Sequence, residues 1–369
     1  MSKNLRGNFK WLAGIASVSL LGACGVPGDA ASGEQLVGEA QELRQGDVAV
    51  SLSARTSTIS AQERATLSVT LTNTTRHPVR LLKWYTPAEE LEEPLFSVTL
   101  NGEAVAFEGP HYKRPAARDT DFLTLAPGES LTRTVDLGLY DLSRTGNYGV
   151  RFEVEAQKAH GSSAKQGLLK SNDVSVWIEG RASSVQQPSD VVTPSLTSSI
   201  SYSGRCSTTQ MSTLLDAMNA GSAMADNSTA YLSTTTPAGT ARYATWFGAF
   251  SLTNWNTAKT QFVAIKDAFD TKPITLDCSC KKSYYAYVYP NQPYKIYVCN
   301  AFWNAPMTGT DSKGGTLIHE MSHFTAVAGT DDHAYGQTNA KSLAISSPTQ
   351  ALNNADNHEY FAENTPFLQ

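Results

Sequence analysis

Residues 315–336 read GTLIHEMSHFTAVAGTDDHAYG, and within them His319-Glu320-x-x-His323 sets two imidazoles four residues apart. On a helix, positions i and i+4 share a face, so both rings can meet one cation. Glu320 lies between them, placed to take a proton from a water that such a cation acidifies. Leu317, Ile318, Met321 and Phe324 surround the motif with apolar surface, the pattern of a helix with one wall in a core.

Two histidines do not complete a catalytic zinc site, so a further ligand must come from elsewhere. Ala326 and Gly329 stand where the metzincin pattern needs glycine and histidine, which removes that family. Glu359 and Glu363 are distant candidates for a glutamate on a following helix. Nearer lies Gly329-Thr330-Asp331-Asp332-His333-Ala334-Tyr335-Gly336. Gly329 can end the helix and turn the chain back, after which a carboxylate would complete a His₂Asp set. On spacing alone Asp331, Asp332 and His333 all compete.

The chain has 369 residues, enough for two domains. Its net charge of −5 and the lack of any basic block argue against nucleic acid as a partner. Lys3, Arg6 and Lys10 precede the apolar run Trp11–Ala23, which has the form of a secretory signal and is too short to span a bilayer. It ends in Leu21-Gly22-Ala23-Cys24, which resembles a bacterial lipoprotein box with Cys24 acylated; an ordinary signal cut nearby is the alternative. Either way the product is extracellular or on the cell surface, with membrane contact only through that anchor. Export suits the remaining cysteines, Cys206, Cys278, Cys280 and Cys299, which read as two disulfides. Cys278 and Cys280 point to opposite faces of an extended segment, so each takes a different partner.

Two textures divide the rest. Residues 25–46 are small and polar, a tether. From residue 47 to 180 the chain alternates in short runs such as VAVSLSA, ATLSVTLTN, LFSVTLNGEAVAF, YGVRFEVEA and DVSVWIEG, separated by turn signals. That spacing predicts an immunoglobulin-like β-sandwich, with Tyr148 opening a late strand as a tyrosine corner. Residues 181–200 are rich in Ser, Pro and Gln and read as a linker with a processing site. From 201 to 369 the fold class is α+β and helix-dominated. Residues 208–232 and 251–269 carry apolar positions at three- and four-residue intervals, and YYAYVYP and YKIYVC form two short strands.

His-Glu-x-x-His followed by Gly-Thr-x-Asp-x-x-Tyr-Gly resembles the aspzincins, the deuterolysin family of zinc endopeptidases, and most closely their peptidyl-Lys metalloendopeptidases. RYATWFG, YAYVYPN, AFWNAPMTGTDS, AYGQTNAKSLA and NADNHEYFAEN extend the resemblance from about Ser201 to the C-terminus. It implies a helix-rich zincin-type domain with a small sheet and one catalytic zinc ion on His319, His323 and Asp332. Glu320 is then the general base and Tyr335 the donor to the oxyanion. It also implies the pairings Cys206–Cys278 and Cys280–Cys299. The N-terminal sandwich, including HYKRP, resembles the family's propeptides more weakly, which makes it an inhibitor or folding aid.

Asp356 and Glu359 are i and i+3 and can share one ammonium group on a helical turn. Taken alone they read as a solvated acidic turn with Asp356 as N-cap. The resemblance instead implies a pocket for lysine after the scissile bond. The expected function is a secreted endopeptidase acting on proteins and peptides on the N-terminal side of lysine. The alternatives are deuterolysin-like cleavage without that selectivity, or a non-catalytic surface protein that keeps the fold as scaffold.

Overall fold

The computed structural model describes residues 46–155, 168–182, 193–194 and 200–369. The signal and lipobox readings (1–24, with Cys24), the tether up to residue 45 and most of the 181–200 linker lie outside the described residues. Among the described residues no helix is long and apolar enough to cross a membrane.

The N-terminal half carries β1 (Val48–Ala54), β2 (Thr58–Ile59), β3 (Thr66–Asn73), β4 (Val79–Leu82), β5 (Phe96–Leu100), β6 (Glu103–Ala104) and β7 (His111–Lys113). β8 (Phe122–Leu125), β9 (Ser130–Asp136), β10 (Gly146–Glu155), β11 (Leu168–Lys170) and β12 (Val174–Ile178) follow. One sheet runs β1-β3-β9 and another β2-β12-β10-β5-β6. Alternation does the sorting: Leu67, Val69 and Leu71 of β3 and Tyr148, Val150, Phe152 and Val154 of β10 all enter one core. The Tyr148 hydroxyl donates to the Arg144 carbonyl at 2.6 Å, the bond expected of a tyrosine corner.

The C-terminal half is α+β. Its elements are β13 (Thr193–Pro194), β14 (Ile200–Ser203), α1 (Thr208–Thr234), α2 (Ala241–Phe247), α3 (Leu252–Thr271) and β15 (Ile274–Asp277). After β16 (Ala286–Val288) and β17 (Lys295–Val298) come α4 (Asn300–Asn304), α5 (Lys313–His323), α6 (Gln337–Ser346), α7 (Pro348–Ala351) and α8 (Ala355–Glu363). Both long helices begin where the periodic runs do. Ser207 and Gln210 form a capping box on α1, and Ser251 caps α3 through the Asn254 amide. α1 packs on α3, α5 and α8, and α5 packs on α8.

β14, β15 and β17 are parallel, whereas β16 runs antiparallel to β17. The strand beyond β16 comes from the other half of the chain. β7 pairs antiparallel with β16, setting Lys113 opposite Ala286, Tyr112 opposite Tyr287 and His111 opposite Val288. The disulfides are Cys206–Cys278 and Cys280–Cys299, as the family resemblance implies, and both lie in the C-terminal half.

Gly248 closes α2 at φ 76° and ψ −153°, a conformation open essentially to glycine alone. A Cβ there would also stand 1.9 Å from the Ala344 carbonyl oxygen of α6. Gly248→Ala is therefore expected to lower unfolding free energy by about 2 kcal/mol or more, from strain plus the clash. Chemical denaturation measures this, and an unchanged midpoint would contradict the assigned backbone.

Candidate functional site

α5 is amphipathic and wholly buried, so its polar residues face an interior site rather than solvent. Its N-terminus is fixed by Ser312, whose hydroxyl accepts from the Gly315 amide, and by Glu363 of α8. Glu363 accepts from the Ser312 amide at 2.8 Å and from the Ser312 hydroxyl at 2.7 Å. The helix stops at His323, earlier than Gly329. The chain then turns through Phe324–Ala328, and Gly329, at φ 60°, reverses it so that the Thr330 amide donates to the Ser322 carbonyl. The turn brings Asp332 back over the two histidines.

Of the three competing candidates, Asp332 is the one that lies beside both histidines. His319 Nε2 and His323 Nε2 are 3.1 Å apart. Asp332 Oδ1 is 3.4 Å from the first and Oδ2 is 3.4 Å from the second. Donors about 2.0–2.1 Å from a tetrahedral zinc ion stand about 3.3 Å from one another, so the three groups fit such an ion. Asp331 instead accepts from the Asp332 amide, and the His333 ring lies 3.1 Å from the Asn353 side chain. Glu363 is occupied at the start of α5. Glu359 faces the far side of His319, 3.4 Å from Nδ1.

The outer nitrogens are held as metal ligands require. His323 Nδ1 lies 2.9 Å from the Thr330 carbonyl, and His319 Nδ1 lies 2.9 Å from Asp356 Oδ1. Burial keeps His323 neutral, its pKa pushed down to about 3, so its Nε2 lone pair is available. Burial also raises Glu320, to about 8, although His319 and Lys113 oppose it. Glu320 Oε2 and the Tyr335 hydroxyl are buried without hydrogen-bond partners, as groups that await a reacting molecule would be. Burial keeps Tyr335 protonated and hence a donor.

Asn354 fastens the returning loop. Its side-chain Oδ1 accepts from the His333 and Ala334 amides at 2.8 and 3.0 Å, and its Nδ2 donates to the Ala334 carbonyl and to Asn357 Oδ1. Asp331 pairs with the same segment, its amide donating to Asn353 and its carbonyl accepting from Ala355. α8 starts at this point, so Asp356 sits in its first turn rather than at the N-cap and is fully buried. That disposes of the solvated-turn reading. Asp356 Oδ2 accepts from the Gly336 amide, while Oδ1 faces His319, a contact that spacing did not indicate.

The pair on α8 holds a lysine, and it comes from β7. Lys113 Nζ is 2.6 Å from Glu359 Oε2, 3.5 Å from Asp356 Oδ1 and 3.3 Å from Asp311 Oδ1. Its side chain is 1% exposed. Burial opposes the charge, but Asp356, Glu359 and Asp311 outweigh it and hold the pKa well above the ordinary value. The Lys113 amide nitrogen lies 3.3 Å from Glu320 Oε1. On one side of it, His111 faces the metal donors: its ring centroid is 4.9 Å from that of His323. On the other, Arg114 is buried against Glu92 and Glu93 and stacks over Trp84, Tyr112 and Tyr284. Trp84 also packs edge-on against Tyr335, with centroids 5.9 Å apart. Lys113, His111 and Arg114 carry no spacing signal; HYKRP stands out only through its weak likeness to propeptides.

The chain is similar to known proteins over most of its length. Residues 232–363 match the aspzincin model, described as lysine-specific metallo-endopeptidase. An extracellular protease of Aeromonas hydrophila is 51% identical over 306 residues, 81% of this chain and 88% of that protein. A peptidyl-Lys metalloendopeptidase of Armillaria mellea is 37% identical over 320 residues, 82% of this chain and 88% of its own. A peptidyl-Lys metalloendopeptidase of Pleurotus ostreatus is 50% identical over 165 residues, 44% of this chain and 96% of that one.

Asn354→Ala removes the fastening of the Asp331–Ala334 loop and touches no metal donor. It is expected to weaken zinc binding by about 10- to 100-fold, the usual cost of losing a supporting contact. Competition with a chromogenic chelator measures it. Wild-type affinity in the variant would show that the loop holds its place without Asn354.

Proposed function

The chain belongs to the aspzincin family and is a zinc metalloendopeptidase, and from that premise we propose that it cuts proteins on the N-terminal side of lysine. The observation that carries the lysine reading is the buried Lys113 ammonium between Glu359 and Asp356, 2.6 and 3.5 Å away. A side chain of this chain makes there the contacts that a substrate lysine would make. Two buried carboxylates welcome an ammonium and penalise an apolar side chain, so selectivity arises from attraction and from rejection.

His319, His323 and Asp332 would hold the ion. When bound, zinc supplies a Lewis acid that makes the attacking water acidic and polarises the scissile carbonyl. Glu320 takes the proton from that water and returns it to the leaving amine. Its 3.3 Å approach to the Lys113 amide nitrogen supports the second half of this role. The Tyr335 hydroxyl donates to the developing oxyanion. Asp356 holds the His319 ring in place while lining the lysine pocket. The edge of β16 on which β7 lies would, once vacated, receive the substrate backbone as an added strand.

We read the protein as an exported precursor with an N-terminal immunoglobulin-like prodomain at 47–180, a linker at 181–200 and an enzyme domain at 201–369. Export suits the disulfides and the name of the Aeromonas hydrophila relative. No lysine occurs between Lys170 and Lys259, so a lysine-directed enzyme cannot cut its own linker: either another protease acts there, or self-cleavage falls at or before Lys170 and leaves a longer N-terminus.

Glu320→Gln should retain zinc and lose nearly all turnover, whereas Asp332→Ala should lose the metal; metal analysis beside a casein assay separates them. Turnover surviving Glu320→Gln would refute the assigned base. In a proteome digest read by mass spectrometry, lysine should dominate the position after the cut. Glu359→Gln should slow lysine peptides by about 100-fold or more, since losing one partner of a buried ion pair costs about 3–5 kcal/mol. Cuts without lysine enrichment would leave the deuterolysin-like alternative standing.

A further inference from the structure

We propose that in the precursor His111 is a fourth protein ligand of the catalytic zinc, closing the site while His111-Tyr112-Lys113 lies across it in substrate register. The inference rests on the functional reading above and concerns how that same site is kept silent.

The register comes first. β7 lies antiparallel on β16, and the Lys113 carbonyl accepts from the Tyr285 amide at 2.9 Å. Lys113 fills the acidic pocket and presents its amide nitrogen to Glu320. The Tyr112–Lys113 peptide bond therefore stands where a scissile bond would stand. Hydrolysis there would break the bond from the Tyr112 carbonyl carbon to the Lys113 nitrogen. Water would add its hydroxyl to the carbon and its proton to the nitrogen. Nothing in the pocket distinguishes this lysine from a substrate's, so some other feature must protect the bond.

That feature is the residue before Tyr112. Ligand atoms of His111, His323 and Asp332 lie within 4.8 Å of one another, so this set brings in an imidazole that the family motif does not supply. Its partner on the far side is too distant to satisfy it: His111 Nδ1 is 3.8 Å from Asp331 Oδ1. Relative to the spacing of donors around zinc, the His111 ring needs to advance by about 1.5 Å, within the reach of a side-chain torsion. Catalytic zinc sites keep one position open for water, whereas four protein ligands make a closed, structural type of site. With His111 on the metal, the attacking water has no place. Arg114 prevents retreat: its guanidinium is fully buried, 2.8 Å from Glu93 and 3.2 Å from Glu92, and stacked among three aromatic rings. Tyr335 is engaged too, packed against Trp84.

The experiment uses the full-length chain carrying Glu320→Gln, which cannot cut itself, loaded with zinc. X-ray absorption at the zinc edge counts imidazoles: three are expected, falling to two when His111→Ala is added. Release of zinc to a chelator should quicken by at least about tenfold in the double variant. With Glu320 intact, His111→Ala should cut itself at Tyr112–Lys113 and yield a fragment whose amino terminus is Lys113. Two imidazoles in the chain that retains His111 overturn the proposal without reliance on any variant at that position. A folded His111→Ala chain that stays whole overturns the claim that His111 protects the bond. Failure to bind zinc, or a processed enzyme indifferent to lysine, would instead remove the functional reading itself. A zinc-loaded, lysine-selective enzyme with only two imidazoles in its precursor would remove this inference alone.

Discussion

Two carboxylates one helical turn apart, Asp356 and Glu359, are both wholly buried, and that constraint organises the rest of the structure. Like charges cannot share an interior without cations or protons beside them. The protein answers with His319 on one side and Lys113 on the other. The first contact ties α8 to α5 and orients an imidazole whose opposite nitrogen joins His323 and Asp332. The second ties α8 to a strand from the other half of the chain. Helix packing, metal geometry and the docking of β7 thus meet at one electrostatic problem.

Much of this was legible in the chain, for reasons that differ by element. The motif helix showed itself through i,i+4 histidines on an apolar background, and α1 and α3 through their periodicity and serine caps. Asp332 was one of three equal candidates, because ligand choice depends on how Gly329 reverses the chain and on which side chains Asn354 and Asn353 engage. Those are contacts between segments about twenty residues apart, and no local pattern encodes them. The resemblance selected Asp332 where spacing could not.

β14 and β15 escaped notice because four-residue parallel strands carry little alternation. β7 escaped for a deeper reason. A three-residue strand with a histidine, a lysine and an arginine beyond it reads as exposed loop until a partner for each charge is known. Its identity as a strand lies in the edge of β16 and in the acidic pocket, both more than 170 residues away in sequence. Asp356 illustrates the same limit: its hold on His319 carries no signal in the sequence.

Both disulfides close loops inside the C-terminal half. After a cut in the linker, the described residues offer no covalent bond between the halves, and what joins them is noncovalent, the β7–β16 ladder, the Lys113 and Arg114 contacts and hydrogen bonds such as Gln350 to Glu155. On the proposed precursor reading, the N-terminal half would then cease to be an intramolecular blocker at high effective concentration and become a separate ligand governed by mass action. Its grip would depend on the volume into which the pieces are released. Crowded near the cell that made it, the enzyme would stay bound to its former half; diluted outside, it would be freed by distance alone.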